Sequence, residues 1–237
     1  MTKPIAYDVM RHDWSHPQFK KKRAPMTTLR FCFVGDSLVN GTNDTEFLGW
    51  PGRLAKDEVA QGHDVTVYNM GIRGDTSEMV ERRWRAECEA RMPAIQPCAL
   101  VFSFGVNDIA DENGVRRVEL DKSLEIAQTM MSEAKAWLPT LWVGPPPVEL
   151  DETTFIPAPK ITYVFTRERI AELNLAYKKI ATEHDIPYFD SFNLLKDRPH
   201  WEQSYDGSDG VHPMGEGYAE FSRNIGKWDA WRKCFDT

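Results

Sequence analysis

The chain has no run of about eighteen or more uninterrupted apolar residues, so it offers no segment able to span a membrane as a helix. Cysteine is scarce: four residues (Cys32, Cys88, Cys98, Cys234) stand at irregular spacings with no CxxC pair, which leaves no zinc or redox motif to read. Cys32 and Cys98 fall inside apolar runs, where a free thiol behaves as a small hydrophobe. With no signal-like stretch after Met26, a reducing cytoplasm is the expected setting. Positive charge is also in deficit, with 29 Lys and Arg against 36 Asp and Glu. The deficit deepens once the first 25 residues are set apart. They contain WSHPQF, which resembles the core of a streptavidin-binding affinity tag, followed by the basic run Lys20 to Arg23. Residues 1–25 are therefore expected to be tag and linker, and residues 26–237 a single domain. Six of the basic and two of the acidic residues lie in that first segment, so 23 and 34 remain, a net charge of −11. Such a domain is repelled by phosphate backbones and anionic membrane surfaces, so neither nucleic acid nor stable membrane association is expected.

What the sequence does contain is alternation. LRFCFV (29–34), VTVYNM (65–70), CALVFSF (98–104), LWVG (141–144) and IPYF (186–189) are short, nearly continuous apolar runs, the pattern of strands covered on both faces. Helical spacing fills the gaps. Leu124, Ala127, Met131, Ala134 and Leu138 share a face that Pro139 stops, and Ile170, Leu173, Tyr177 and Ile180 share another. Further helices are expected over 77–92, after Trp50, and over 217–228. Strand and helix in alternation imply an α/β fold with a five-stranded parallel sheet, whose ligands bind beyond the carboxyl ends of the strands. One stretch breaks the rhythm: PPPVELDETTFIPAPKITY (145–163), read as a long functional loop.

The first run ends in Gly35-Asp36-Ser37-Leu38, which raises the question of a nucleophilic serine in need of a base. Of six histidines, His12 and His16 lie in the tag-like segment. His63 and His184 precede strands and so sit at the wrong end of the sheet, while His200 has no well-placed carboxylate beyond Glu202. His212, in DGSDGVHP, follows the last run and has Asp209 three residues ahead of it. On a tight turn that acid can curl back onto Nδ1 and leave Nε2 free for a serine hydroxyl. Taken alone the pair reads equally well as a turn; together with Ser37 it favours catalysis. Donors for a developing oxyanion are on offer after the second and third runs, in Gly71-Ile72-Arg73-Gly74 and in Gly105-Val106-Asn107. The Ser37 N–H, at the start of a helix, is a further one.

Ser37 in GDSL, Gly74 in NMGIRGDTS, Asn107 in GVND and His212 in DGVH resemble, in order, the four blocks of the SGNH (GDSL-type) esterases and lipases. The resemblance runs from residue 35 to 213. It implies a flavodoxin-like three-layer α/β/α fold and an esterase mechanism that needs no metal or cofactor. Ser37 would be the nucleophile, His212 the base and Asp209 its orienting acid, with Ser37, Gly74 and Asn107 forming the oxyanion hole. The related α/β-hydrolase elbow, G-x-S-x-G, is ruled out because Val39 occupies its last position.

The partner expected is a small-molecule ester with a short acyl, aryl or sugar-acetate group. Thioesterase or lysophospholipase-type activity and a non-catalytic binding role on the same fold stand as alternatives. Candidate pocket residues are Trp50, Arg73, Pro145, Pro146 and Phe155. Trp50 could equally pack a helix on the sheet. Arg73 could meet an anionic substrate group or simply be a solvated loop side chain.

Overall fold

The computed structural model describes residues 27–236; the tag-like segment, with His12 and His16, lies outside them. Among the described residues nine strands follow in order: β1 (Thr28–Gly35), β2 (Asp64–Gly71), β3 (Cys98–Ser103), β4 (Asp111–Glu112), β5 (Val115–Arg116), β6 (Thr140–Val143), β7 (Glu152–Ala158), β8 (Ile161–Thr166) and β9 (Tyr188–Phe189). The helices are α1 (Ser37–Asn40), α2 (Gly49–Gln61), α3 (Ser77–Glu89), α4 (Leu120–Trp137), α5 (Arg167–Glu183), α6 (Ser191–Leu195), α7 (Pro199–Gln203), α8 (Gly215–Gly226) and α9 (Asp229–Arg232).

The five apolar runs form one parallel sheet in the order β2-β1-β3-β6-β9. Period-two alternation divides their side chains between two cores. Cys32, Val34, Leu100, Phe102 and Trp142 face α3, α4 and α5. Phe31, Phe33, Val101, Leu141 and Val143 face α2, α8 and α9. That is the three-layer α/β/α arrangement, and it explains why the strands read as nearly continuous apolar runs. The order reverses at β1, between β2 and β3, which makes the ends of these three strands the place for a ligand. The fifth strand is shorter than its sequence run. Pro187 has no N–H to donate, and it enters the ladder only through its carbonyl, which accepts from Trp142 N at 3.0 Å.

The stretch 145–163 is not a loop. Pro145 to Val148 are buried in an extended run. After Asp151 the chain forms β7 and then β8, an antiparallel hairpin completed by β4 and β5 into a second sheet, β5-β4-β8-β7. Two features hid it. The strands' register shifts between Phe155 and Ala158, where Pro157 interrupts the alternation, and the hairpin turns through Lys160 in the left-handed region (φ 68°). The proline run buries cheaply because it lacks donors. The Pro147 carbonyl accepts from Trp201 Nε1 at 3.1 Å and from the Tyr205 hydroxyl at 2.8 Å.

Candidate active site

Ser37, Gly74, Asn107 and His212, each singled out in the sequence beyond a strand end, come together at the carboxyl edge of the parallel sheet. β1 ends at Gly35, where a Cβ would collide with the Ser103 carbonyl of β3, so only glycine lets the two strand ends come this close. Asp36 then caps α1, its Oδ1 accepting from Leu38 N at 2.9 Å. Ser37 is thereby held as the first residue of a helical turn, its hydroxyl turned toward His212.

The histidine turn is organised by Asp209. Its Oδ1 accepts from the N–H groups of Val211 (3.0 Å) and His212 (2.8 Å), an Asx-type turn that folds the chain back on itself. Its Oδ2 lies 2.8 Å from His212 Nδ1, and His212 Nε2 lies 2.8 Å from Ser37 Oγ. Burial alone would raise the Asp209 carboxyl. The hydrogen bonds and charge of His212, with the two backbone donors, outweigh it and hold the pKa at about 2. Carboxylate, imidazole and hydroxyl thus stand in a row, the carboxylate ionised.

Gly74 sits in a turn with φ +80°, a left-handed backbone that favours glycine, and its N–H donates to no acceptor among the described residues. Its carbonyl is pinned by Arg117 Nη2 at 2.8 Å. The Asn107 amide donates to the Asp75 carbonyl at 3.0 Å, which fixes the plane of that side chain. Ser37, Gly74, Asn107 and His212 line one cavity of about 260 Å³. This is a hydroxyl beside a base, with donors grouped around the space in front of it, the arrangement of an acyl-transfer site.

The pocket residues divide. Arg73 lines the cavity and is exposed, and Phe155 lines it and meets the His212 ring edge-on at 5.7 Å and 78°. Trp50 does not reach the site. It is fully buried on the opposite face of the sheet, edge-on to Phe33 at 5.1 Å, because β1 sends Phe33 and Val34 to different faces. Pro145 and Pro146 are buried and absent from the cavity wall. The second sheet forms the wall instead, through Pro157, Ile161, Tyr163 and Phe165. The excluded histidines stay away: His63 packs on Phe235, His184 ends α5, and His200 is exposed on α7.

Three supports had little sequence signal. Asn43, with φ 71°, donates from one amide to Asp209 Oδ2 at 3.2 Å and to the His212 carbonyl at 3.3 Å. Arg83 on α3 bonds the carbonyls of Gly35 (2.8 Å) and Met70 (2.9 Å) and the Asp75 carboxylate (2.8 Å), tying the ends of β1 and β2 to the Gly74 turn. Asp108 accepts from Ser77 N at 2.7 Å and from the Ser123 hydroxyl, so a strand-end residue caps α3. Burial raises the Asp36 carboxyl to about 7, with the nearby Asp108 and Asp75 adding to the shift against the Leu38 hydrogen bond. A larger apolar groove of about 660 Å³ opens at the opposite end of the sheet, beside Leu29, Pro97 and Pro187. It contains no serine, histidine or carboxylate.

The fold and the row of side chains define a serine-hydrolase-like α/β/α protein. Residues 33–220 match the model of the GDSL-like lipase/acylhydrolase family, so the chain belongs to that family and is a carboxylic ester hydrolase. No curated protein matches it in sequence. Among solved structures it is similar to a lipase/acylhydrolase from Enterococcus faecalis (22% identity, 86% of this chain and 97% of that one, TM-score 0.67). It is also similar to Axe2, an acetylxylan esterase from Geobacillus stearothermophilus (17%, 86% and 97%, 0.64), and to TesA (21%, 86% and 99%, 0.62). At these identities the likeness is one of fold. No helix among the described residues is long and apolar enough to cross a membrane.

Proposed function

We propose that residues 26–237 act as one domain that hydrolyses small carboxylic esters of short acyl, aryl or sugar-acetate type through an acyl-enzyme on Ser37. The reading rests on one observation, the unbroken row from Asp209 through His212 to Ser37 at 2.8 Å per step. His212 Nε2 takes the Ser37 proton as Oγ attacks the carbonyl, while Asp209 holds the ring and balances the imidazolium. The charge arriving on the carbonyl oxygen is met by the N–H groups of Ser37 and Gly74 and by the Asn107 amide. His212 then protonates the leaving alcohol, and a water molecule repeats the sequence on the acyl-enzyme.

The cavity of about 260 Å³, walled by apolar side chains, supports a short acyl group. The printed name of Axe2 concerns acetyl groups on xylan, and sugar acetates fall within the proposed class. The four free cysteines support a reducing, cytoplasmic setting. The test is p-nitrophenyl acetate hydrolysis by wild type and Ser37→Ala, with mass spectrometry after a fluorophosphonate probe. A loss of at least ~10³-fold and a single adduct on Ser37 are expected. Equal rates in the two proteins would overturn the Ser37 assignment. An inert wild type without an adduct would favour a binding protein on this fold.

A further inference from the structure

Arginine is a well-partnered residue in this protein. Among the described residues, those at 30, 53, 82, 83, 85, 91, 116, 117, 167, 169, 198 and 232 each have an ion pair or a hydrogen bond. Arg73 and Arg223 have neither with any described residue, and Arg223 lies on α8, in the wall of a different cavity. Arg73 lines the cavity that holds Ser37 and His212. No carboxylate lines that cavity, and the nearest acids of the site are already engaged, Asp75 by Arg83 and Asp209 by His212. The remaining walls are apolar, contributed mainly by the second sheet.

An acidic chain that leaves one guanidinium unneutralised at the mouth of its ester site has a local field opposite to that of its surface. A guanidinium also presents its donors in a planar fork that matches a carboxylate or phosphate. Arg73 adjoins Gly74, whose N–H points to the carbonyl position in the proposed mechanism. An anion bound by Arg73 would therefore sit within one side-chain length of the scissile ester.

We propose that Arg73 recognises an anionic group, carboxylate or phosphate, on the ester, so that the preferred substrates pair a small apolar acyl group with a negatively charged partner. The proposal rests on the ester-hydrolase reading above and adds the substrate class.

The test compares kcat/KM for 4-acetoxybenzoate and 4-acetoxyphenyl phosphate with that for neutral 4-acetoxybenzamide, in wild type, Arg73→Gln and Arg73→Lys. The anionic-to-neutral ratio is expected to fall by roughly tenfold in Arg73→Gln, mostly through KM, and to be partly kept in Arg73→Lys. Added salt should lower the ratio in wild type and leave Arg73→Gln unmoved. The larger of the two wild-type ratios identifies carboxylate or phosphate as the preferred anion. The same ratios in wild type and Arg73→Gln would overturn the proposal while leaving the esterase reading intact.

Should no ester be turned over, the esterase reading fails, and calorimetric binding of benzoate, phenyl phosphate and benzamide still tests Arg73. An anion preference lost in Arg73→Gln supports the proposal; equal binding by both proteins sinks it.

Discussion

The two sheets share one site but contribute to it differently. The parallel sheet is covered by helices on both faces, and beyond its strand ends stand the proposed reactive groups: Ser37 after β1, Gly74 after β2 and Asn107 after β3, with the Asp209–His212 turn beyond β9. The small antiparallel sheet supplies none of these. It contributes a wall, with Phe155 against the His212 ring and the Arg117 guanidinium stacked over Tyr163 at 5.0 Å while it pins the Gly74 carbonyl. Its strands are also more exposed, with Ile156 at 65%. In the proposed reading the parallel sheet sets what reaction is available, and the second sheet sets which acyl group fits.

That division can be tested, beginning with the largest effect. Asp209→Asn should leave the fold standing and lower kcat by about 10³–10⁴-fold, because the amide stabilises neither the tautomer nor the imidazolium. Steady-state hydrolysis of p-nitrophenyl acetate measures it, and a loss below tenfold would remove Asp209 from the row. The same variant has a pH signature. The Asp209 carboxyl is depressed from 3.8 to about 2, so its contribution to stability is present above 3.8 and lost as pH falls through about 2. Acid unfolding followed by circular dichroism should lose that component in Asp209→Asn.

Trp142→Ala strikes the parallel sheet. The side chain is fully buried, stacked on Phe104 at 5.6 Å and against Tyr177 at 4.6 Å. A loss of about 3–5 kcal/mol in a denaturant melt is expected.

Phe155→Ala strikes the wall instead. Its ring is only half-buried, so a smaller cost of roughly 1–2 kcal/mol is expected, together with a several-fold rise in the ratio of p-nitrophenyl butyrate to acetate turnover. An unchanged acyl preference would end the assignment of chain length to the second sheet.

The last test, Asp36→Asn, is read as a trend with pH. Because burial lifts the Asp36 carboxyl from 3.8 to about 7, its contribution is fully present below 3.8 and lost as pH rises through 7. The amide keeps the acceptor for Leu38 N and escapes that titration. Its Tm relative to wild type should therefore rise with pH between 4 and 8; a flat difference would contradict a buried, late-ionising acid.

Much of this architecture was legible in the chain. Runs such as LRFCFV and CALVFSF are apolar at nearly every position because both faces of the sheet are covered, and the glycines, Ser37, Asn107 and His212 follow such runs. Asp209 and His212 could be paired because they are three residues apart, and a turn closes that distance locally. The second sheet was not legible as a sheet. Asn113-Gly114, both at positive φ, is a hairpin signal, but the flanking strands of two residues carry too little alternation to register, and Pro157 masks β7. Trp50 was equally ambiguous, since an apolar residue near a catalytic block can face either side of the sheet.

The sequence by itself therefore determined the layered α/β/α fold and the candidates for the reactive groups, because strand burial and turn chemistry are properties of neighbouring residues. Only the tertiary structure decided the wall of the cavity, the clamp that Arg83 forms on residues 35, 70 and 75, the Asn43 bond to Asp209, and the isolation of Arg73 among paired arginines. Each of these depends on partners far apart in the chain, and no local pattern records who will stand beside whom once the strands are paired.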